Sequence, residues 1–571
     1  MPILLTVCLG RRYEGRTASA NRRECSQPRE TVSGWLASAL AILQSFVNDA
    51  EQRRHARQVH SANQFDAEVH VVAEMACHRM AAVTRVEVPK AFSKWQVHPT
   101  EMRISSSMDL LLKDSIDSPG DITMECSIIR CLAVFWLVTM SIAEGPVRAD
   151  DADGHWPQWR GPLGTGVAPN ADPPVEWSET KNIRWKVPMP GKGHSMPIVW
   201  GDRIFLTTAI PYGEKLPPKH STAPGTHDGV PVTQRHEFAV LAIDRRSGHI
   251  LWRKTVHKKL PHEGGHITGS LASNSVVTDG EHLFAFFGSQ GLHCLDMNGE
   301  VTWQKQFGEM LTKHGHGESS SPALYGDTLV VNWDHDGPCF VVAFDKRTGR
   351  QLWKVNRDEE TSWSSPVIIE HNDQPLLIVA GTNRVRGYEL ATGRVVWECG
   401  GLSSNIVATP VAAEGMLFVG SSYEKRSLLA IRLDRAKGDI TGTDRLAWSR
   451  SRGTPYVPSP LLYGDSLYFL THYQGILSRV SAQTGEDRPG AIRLAGIGNI
   501  YASPVGAGRR VYVTDLDGNT LVLSHNDEPR VLSVNHLDDV FAASAAIVGR
   551  ELFLRGERHL YCIADAAGSK P

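Results

Sequence analysis

The segment from Ala343 to Trp353, AFDKRTGRQLW, decides the fold. It opens as the end of an apolar strand, turns at Thr348-Gly349, where glycine takes a positive φ at no steric cost, and starts a second strand that carries Trp353. The unit, A-x-D-x-x-T-G-x-x-x-W, recurs. AIDRRSGHILW (Ala242 to Trp252) and CLDMNGEVTW (Cys294 to Trp303) precede it, and YELATGRVVW (Tyr388 to Trp397) follows. An interrupted copy, AIRLDRAKGDITGTDRLAW, ends at Trp448, and a remnant, VSAQTGE from Val480, leads to no tryptophan.

Each unit follows a second repeated pattern: a Ser-Pro-like pair, an apolar run, a Gly-Asp-type turn and another apolar run. SPALYGDTLVV at Ser321 and SPLLYGDSLYFL at Ser459 are clear copies. Two strands joined by a tight turn fit each one. With the proline slot as a ruler, the copies fall at 197, 274, 322, 366, 410, 460, 504 and 545, so most are 41 to 50 residues apart. That period, with four strands per unit, predicts an all-β fold: an eight-bladed β-propeller of four-stranded antiparallel blades. The first interval is longer because Pro211 to Arg235 forms an insertion rich in Pro, Gly, His and Thr. After the eighth hairpin, RHLYCIAD (Arg558 to Asp565) supplies a third strand and the repeat stops, while NIRWKV (Asn182 to Val187) is a spare Trp-bearing strand ahead of the first hairpin. The spare strand is expected to complete the last blade and close the ring, removing exposed edges. The propeller then covers 182–565.

Trp185, Trp252, Trp303, Trp353, Trp397 and Trp448 share one position in the blade. No single ligand touches the outer strands of six blades, so these rings are read as packing, each over the Thr-Gly turn of the next blade. The unit resembles the tryptophan-docking repeat of the pyrroloquinoline quinone (PQQ) superfamily of propellers, and HWPQWRGPLGTG (His155 to Gly166) resembles the start of exported PQQ-repeat-like bacterial proteins. The resemblance implies one of two branches. Quinoprotein alcohol dehydrogenases hold PQQ between a tryptophan and a disulfide of adjacent cysteines, beside calcium and a catalytic Asp. The other branch is free of cofactor and resembles the propeller lipoprotein of outer-membrane protein assembly. The cysteines, at 8, 25, 77, 126, 131, 294, 339, 399 and 562, include no adjacent pair, no C-x-x-C and no haem-attachment motif. Hence no cofactor is expected, PQQ with calcium being the alternative, and the chain is read as a binding protein more than an enzyme.

A formal charge of -2 gives no electrostatic reason to expect nucleic acid as a partner. Residues 124–149 have the layout of a signal peptide: Arg130, an apolar core from Cys131 to Ala143, and small residues at Val147 and Ala149. Thirteen apolar residues are too few to span a bilayer, so cleavage after Ala149 and export to the periplasm or medium are expected, with no membrane span in the mature chain. Residues 1–123 carry no repeat and are read as an extension ahead of a start at Met124; residues 150–181 are placed on the propeller surface and 566–571 are a tail.

The loops entering the innermost strands gather chemistry-bearing side chains on one face of a propeller. They supply His194, His266, His316, Glu318, Trp363, Asn405, Tyr456, Asn499 and Tyr501 as candidate ligand-binding residues, with His314 beside them. Aromatic walls with polar edges suit a sugar, a quinone or a peptide. The histidine spacing matches no metal signature, so no metal is assigned, and WDHDG (Trp333 to Gly337) reads as a turn lacking the donors of a calcium loop. The expected function is ligand binding or scaffolding through these loops, for an unknown small molecule or an envelope protein; the alternative is a divergent PQQ-dependent oxidoreductase.

Overall fold

A computed structural model describes residues 154–565 apart from 471–474 and 490–491; the expected extension, signal peptide and tail lie outside the described residues. Eight antiparallel sheets follow one another in chain order, each built on four strands that run outward from an innermost one. Blade 3 is representative: Ala323–Tyr325, Thr328–Trp333, Cys339–Asp345 and Gln351–Arg357 pair in sequence order. The second and third strands are buried on both faces, because each sheet is packed between two neighbours. Closure occurs as the repeat predicts. Ile183–Pro188 pairs antiparallel with His559–Ile563 and supplies the outer strand of blade 8.

Both repeated motifs are devices that join blades. Trp185, Trp252, Trp303, Trp353 and Trp448 each donate Nε1–H to a backbone carbonyl of the next blade, at 2.8 to 3.2 Å. Each ring lies on the glycine of that blade's turn; a Cβ at Gly393 would stand 2.6 Å from the Trp353 ring, and φ there is +74°. Only glycine meets both demands. Trp397 departs from the pattern. Blade 5 carries the insertion in place of a Thr-Gly turn, so Trp397 tips over Gly387 of its own sheet and its buried Nε1 has no acceptor.

The serine of the Ser-Pro pair has a separate task. The backbone N–H of Ser321 donates to Ser365 Oγ, Ser365 to Thr409 Oγ1, Thr409 to Ser459, Ser459 to Ser503, and Ser503 to Ser544, at 2.9 to 3.3 Å. Met196 and Ser275 extend this belt through the first two blades. The belt corrects the ruler in blade 2: Ser275 holds the serine slot, so the proline slot is Val276, two residues beyond the position read from sequence.

Residues 155–177, expected on the surface, are in large part inside the assembly. His155–Trp156 pairs with the innermost strand of blade 1, and Val167–Ala168 pairs parallel with that of blade 7. Between them Trp159 Nε1 donates to Thr409 Oγ1, and the buried Arg160 guanidinium donates to the carbonyls of Thr165, Pro460 and Pro504. The segment thus crosses from blade 1 to blade 7 along the innermost strands. No helix among the described residues is long and apolar enough to cross a membrane.

Candidate functional site

Three glycine-rich loops meet on the face where the chain enters the innermost strands. The blade 1 insertion contributes Gly229–Val230, which pairs with Gly265–His266 of the loop leading into blade 2. That loop is bonded to the next one by His266 N–H donating to the His316 carbonyl at 3.0 Å, and Ile267 N–H donates to Asp228 O at 2.7 Å. Trp363, in the loop entering blade 4, donates Nε1–H to Gly317 O at 2.7 Å. Beneath them the Glu263 carboxylate ties Ser221 to Thr312 through bonds of 2.9 and 2.8 Å. Backbone, not side-chain contact alone, therefore fixes the loops against one another.

The lacing gathers four imidazoles. Ring centroids are 5.0 Å apart for His227 and His314, 4.8 Å for His227 and His316, 4.8 Å for His266 and His316, and 5.3 Å for His314 and His316. Trp363 stands 6.4 Å from His316, and Tyr423 stands 6.4 Å from His314 and stacks on Tyr456. Nδ1 of His227 is bonded to Gly225 O, that of His314 to Pro224 O, and that of His266 to Thr268 Oγ1. His314 is held at φ +60°, and its Nε2 is buried without a hydrogen-bond partner. Such a residue in the left-handed region beside an orphaned nitrogen is a strained arrangement that the fold maintains locally. Burial, and then the neighbouring His266 and His227, push the His316 imidazole down to about 4; burial lowers His266 as well.

The candidate residues divide accordingly. The structure brings His266, His316, Trp363 and Tyr456 into one cluster of rings, with His314. His194 sits instead between blades 8 and 1, its Nε2 3.7 Å from Glu557, too far for a hydrogen bond. Glu318 points inward. It accepts from Ser289 N–H at 2.6 Å and from Ser289 Oγ, burial holds its carboxyl above the usual range, and it lines a cavity of about 20 Å³, room for one water. Asn405 is buried in the left-handed region, where its role is the turn before blade 5; Asn499 and Tyr501 stand at the entry to blade 7, away from the histidines in ring order. Two residues of the recess, His227 and Tyr423, lie in loops between second and third strands, a position the sequence argument did not search. The His-rich insertion was the only signal for His227, and Tyr423 had none.

Other polar groups are already occupied. Asp334 of the WDHDG turn is buried and takes two bonds from Arg357, 2.8 and 3.1 Å, which leaves it structural. Asp279, Glu281 and His282 present ligand atoms within 4.8 Å of one another, but Lys346 Nζ lies 2.9 Å from Asp279 Oδ2 and neutralises the group.

The model of the PQQ-repeat family described as outer membrane protein assembly factor BamB matches residues 236–362 and 339–569, more than half of the chain. The protein belongs to this PQQ-repeat propeller family. No curated protein matches it. Among solved structures, the quinohemoprotein alcohol dehydrogenase from Comamonas testosteroni is similar with a TM-score of 0.50 at 8% identity, covering 74% of this chain and 84% of that one. BamB from Moraxella catarrhalis is similar with a TM-score of 0.41 at 15% identity, covering 62% and 99%. A europium-containing methanol dehydrogenase gives 0.48 at 12% identity, covering 70% and 89%. The leaning away from an enzyme is corrected: the propeller frame is shared with a dehydrogenase as well as with the assembly-factor family, so the fold does not argue against catalysis. The PQQ sandwich itself does not fit. The four cysteines of the described residues, 294, 339, 399 and 562, are separate free thiols buried in strands, and none can form a wall of adjacent sulfurs.

Proposed function

We propose that this exported PQQ-repeat propeller works at the recess formed by His227, His266, His314, His316, Trp363 and Tyr423, taking a small ligand with one apolar ring face and one polar edge. The observation that carries the reading is convergence: side chains from five loops of different blades meet on one face, and His314 keeps a buried ring nitrogen unpaired there. Trp363 and Tyr423 supply flat apolar surface, and imidazoles supply donors or acceptors at its edge. Sugars and quinones have that shape. The test is equilibrium binding of PQQ and a set of mono- and disaccharides, followed by tryptophan fluorescence. Trp363→Ala should abolish binding with little loss of fold; a variant that binds like the parent chain overturns the reading.

A second reading, oxidation of an alcohol, is favoured by the frame shared with the Comamonas enzyme. Dye-linked oxidation of primary alcohols with PQQ and Ca²⁺, abolished by His316→Ala, would establish it. Absence of turnover with binding intact would leave the ligand-binding role.

A further inference from the structure

Three of the clustered imidazoles have the ring spacing of a transition-metal site. An ion about 2.1 Å from each ring nitrogen at tetrahedral angles sets neighbouring imidazole centroids roughly 5 Å apart. The three separations among His227, His314 and His316 run from 4.8 to 5.3 Å. Histidines that ligate a metal are ordinarily anchored by the other ring nitrogen to a carbonyl, carboxylate or hydroxyl, which fixes the tautomer. His227 and His314 have that arrangement through Gly225 O and Pro224 O, which leaves Nε2 of each without a hydrogen bond among the described residues. His316 bonds the His227 carbonyl through Nε2 at 3.3 Å, leaving Nδ1. The rings pack at 50° to 77° to one another and no three of them yet present nitrogens within 4.8 Å of one another, so convergence on a single point requires the rings to turn about their Cβ–Cγ bonds, which the exposed His227 side chain has room to do.

The geometry points to a binding site for a divalent first-row transition ion, zinc or copper, with His227, His314 and His316 as ligands. An all-imidazole set selects these ions over calcium and magnesium, which require oxygen donors. The site also gives the blade 1 insertion a purpose: bound metal would clamp it to the loop entering blade 3. This inference rests on the reading of the recess as the working site, but the two fail separately, because metal binding needs no organic ligand.

The test uses the full chain, stripped with a chelator and titrated with Zn²⁺ against a chromophoric competitor. One tight site per chain is expected, unaffected by millimolar Ca²⁺. His227→Ala and His316→Ala should each weaken it at least 100-fold, while His282→Ala, at the separate Asp279 cluster, leaves it unchanged. X-ray absorption of the loaded chain should show three or four nitrogen ligands at roughly 2.0–2.1 Å. Hydrogen exchange in residues 219–230 should slow on loading. His227 is exposed, so its variant retains the fold and the result is interpretable. No saturable site, affinity unchanged from the parent chain in both histidine variants, or loss of the site in His282→Ala instead, would overturn the inference.

Discussion

Trp353 Nε1 donates to the Leu390 carbonyl at 2.8 Å, across the boundary between blades 3 and 4. Its ring covers Gly393, so one side chain contributes a core contact and a hydrogen bond to blade docking. Trp353→Ala should destabilise the chain by about 3 to 5 kcal/mol, as other buried Trp truncations do. Trp353→Phe and Trp397→Phe separate the two contributions. Only the first deletes a bond, so it should cost about 1 kcal/mol more in chemical denaturation. Equal costs would show that the docking bond adds nothing beyond burial.

The serine belt carries its own prediction. Ser365→Ala leaves the buried N–H of Ser321 without its acceptor, which should cost about 1 to 3 kcal/mol. Ser365→Thr should be tolerated, because Thr409 already performs the same task in blade 5. A thermal-shift series over Ser365, Ser459 and Ser503 would check that the belt acts at each blade.

Much of the frame was legible because two periodic demands are local. A turn glycine under a tryptophan and a serine ahead of the innermost strand must recur wherever blades meet, so Gly349, Gly393, Trp353 and Ser459 announce themselves. The fate of Trp397 was not legible, since it depends on what the next blade lacks. The recess was half legible. His266, His316 and Trp363 occupy a topological position that a repeat count identifies, whereas His227 enters through an insertion whose pairing with Gly265–His266 is set by backbone contacts far apart in sequence. Glu318 failed as a ligand candidate because its side chain turns to cap Ser289, a rotamer choice with no trace in the motif.

His293 should make stability depend on pH. It is buried in blade 2, bonds the Gln290 carbonyl at 3.0 Å, and burial pushes its imidazole down to about 4. Below the ordinary imidazole value, near 6.5, unfolded chains take up a proton that the folded ring refuses. The stabilisation from this site is thus complete above pH 6.5 and declines toward pH 4, by up to roughly 3 kcal/mol. His293→Gln should flatten the denaturation midpoint across that window; an unchanged slope would assign the dependence to other groups.

Arg160 tests whether the entering segment is structural. Its guanidinium is buried with no carboxylate beside it, burial lowers it to about 9, and it meets the carbonyls of Pro460 and Pro504 directly. Gly166 lies so close to this group that a Cβ there would stand 2.1 Å from it, which explains the glycine in the RGPLGTG stretch. A cation satisfied by carbonyls is a positional lock more than a source of net stability, because its desolvation offsets much of the bonding. Arg160→Ala should therefore lower stability modestly, by about 1 to 3 kcal/mol, yet release residues 155–168 from the innermost strands. Limited proteolysis reads that release directly: the parent chain should resist cleavage within the segment and the variant should be cut there while the blades remain intact. Resistance in both would mean that Trp156 and the short strand pairings hold the segment without the arginine.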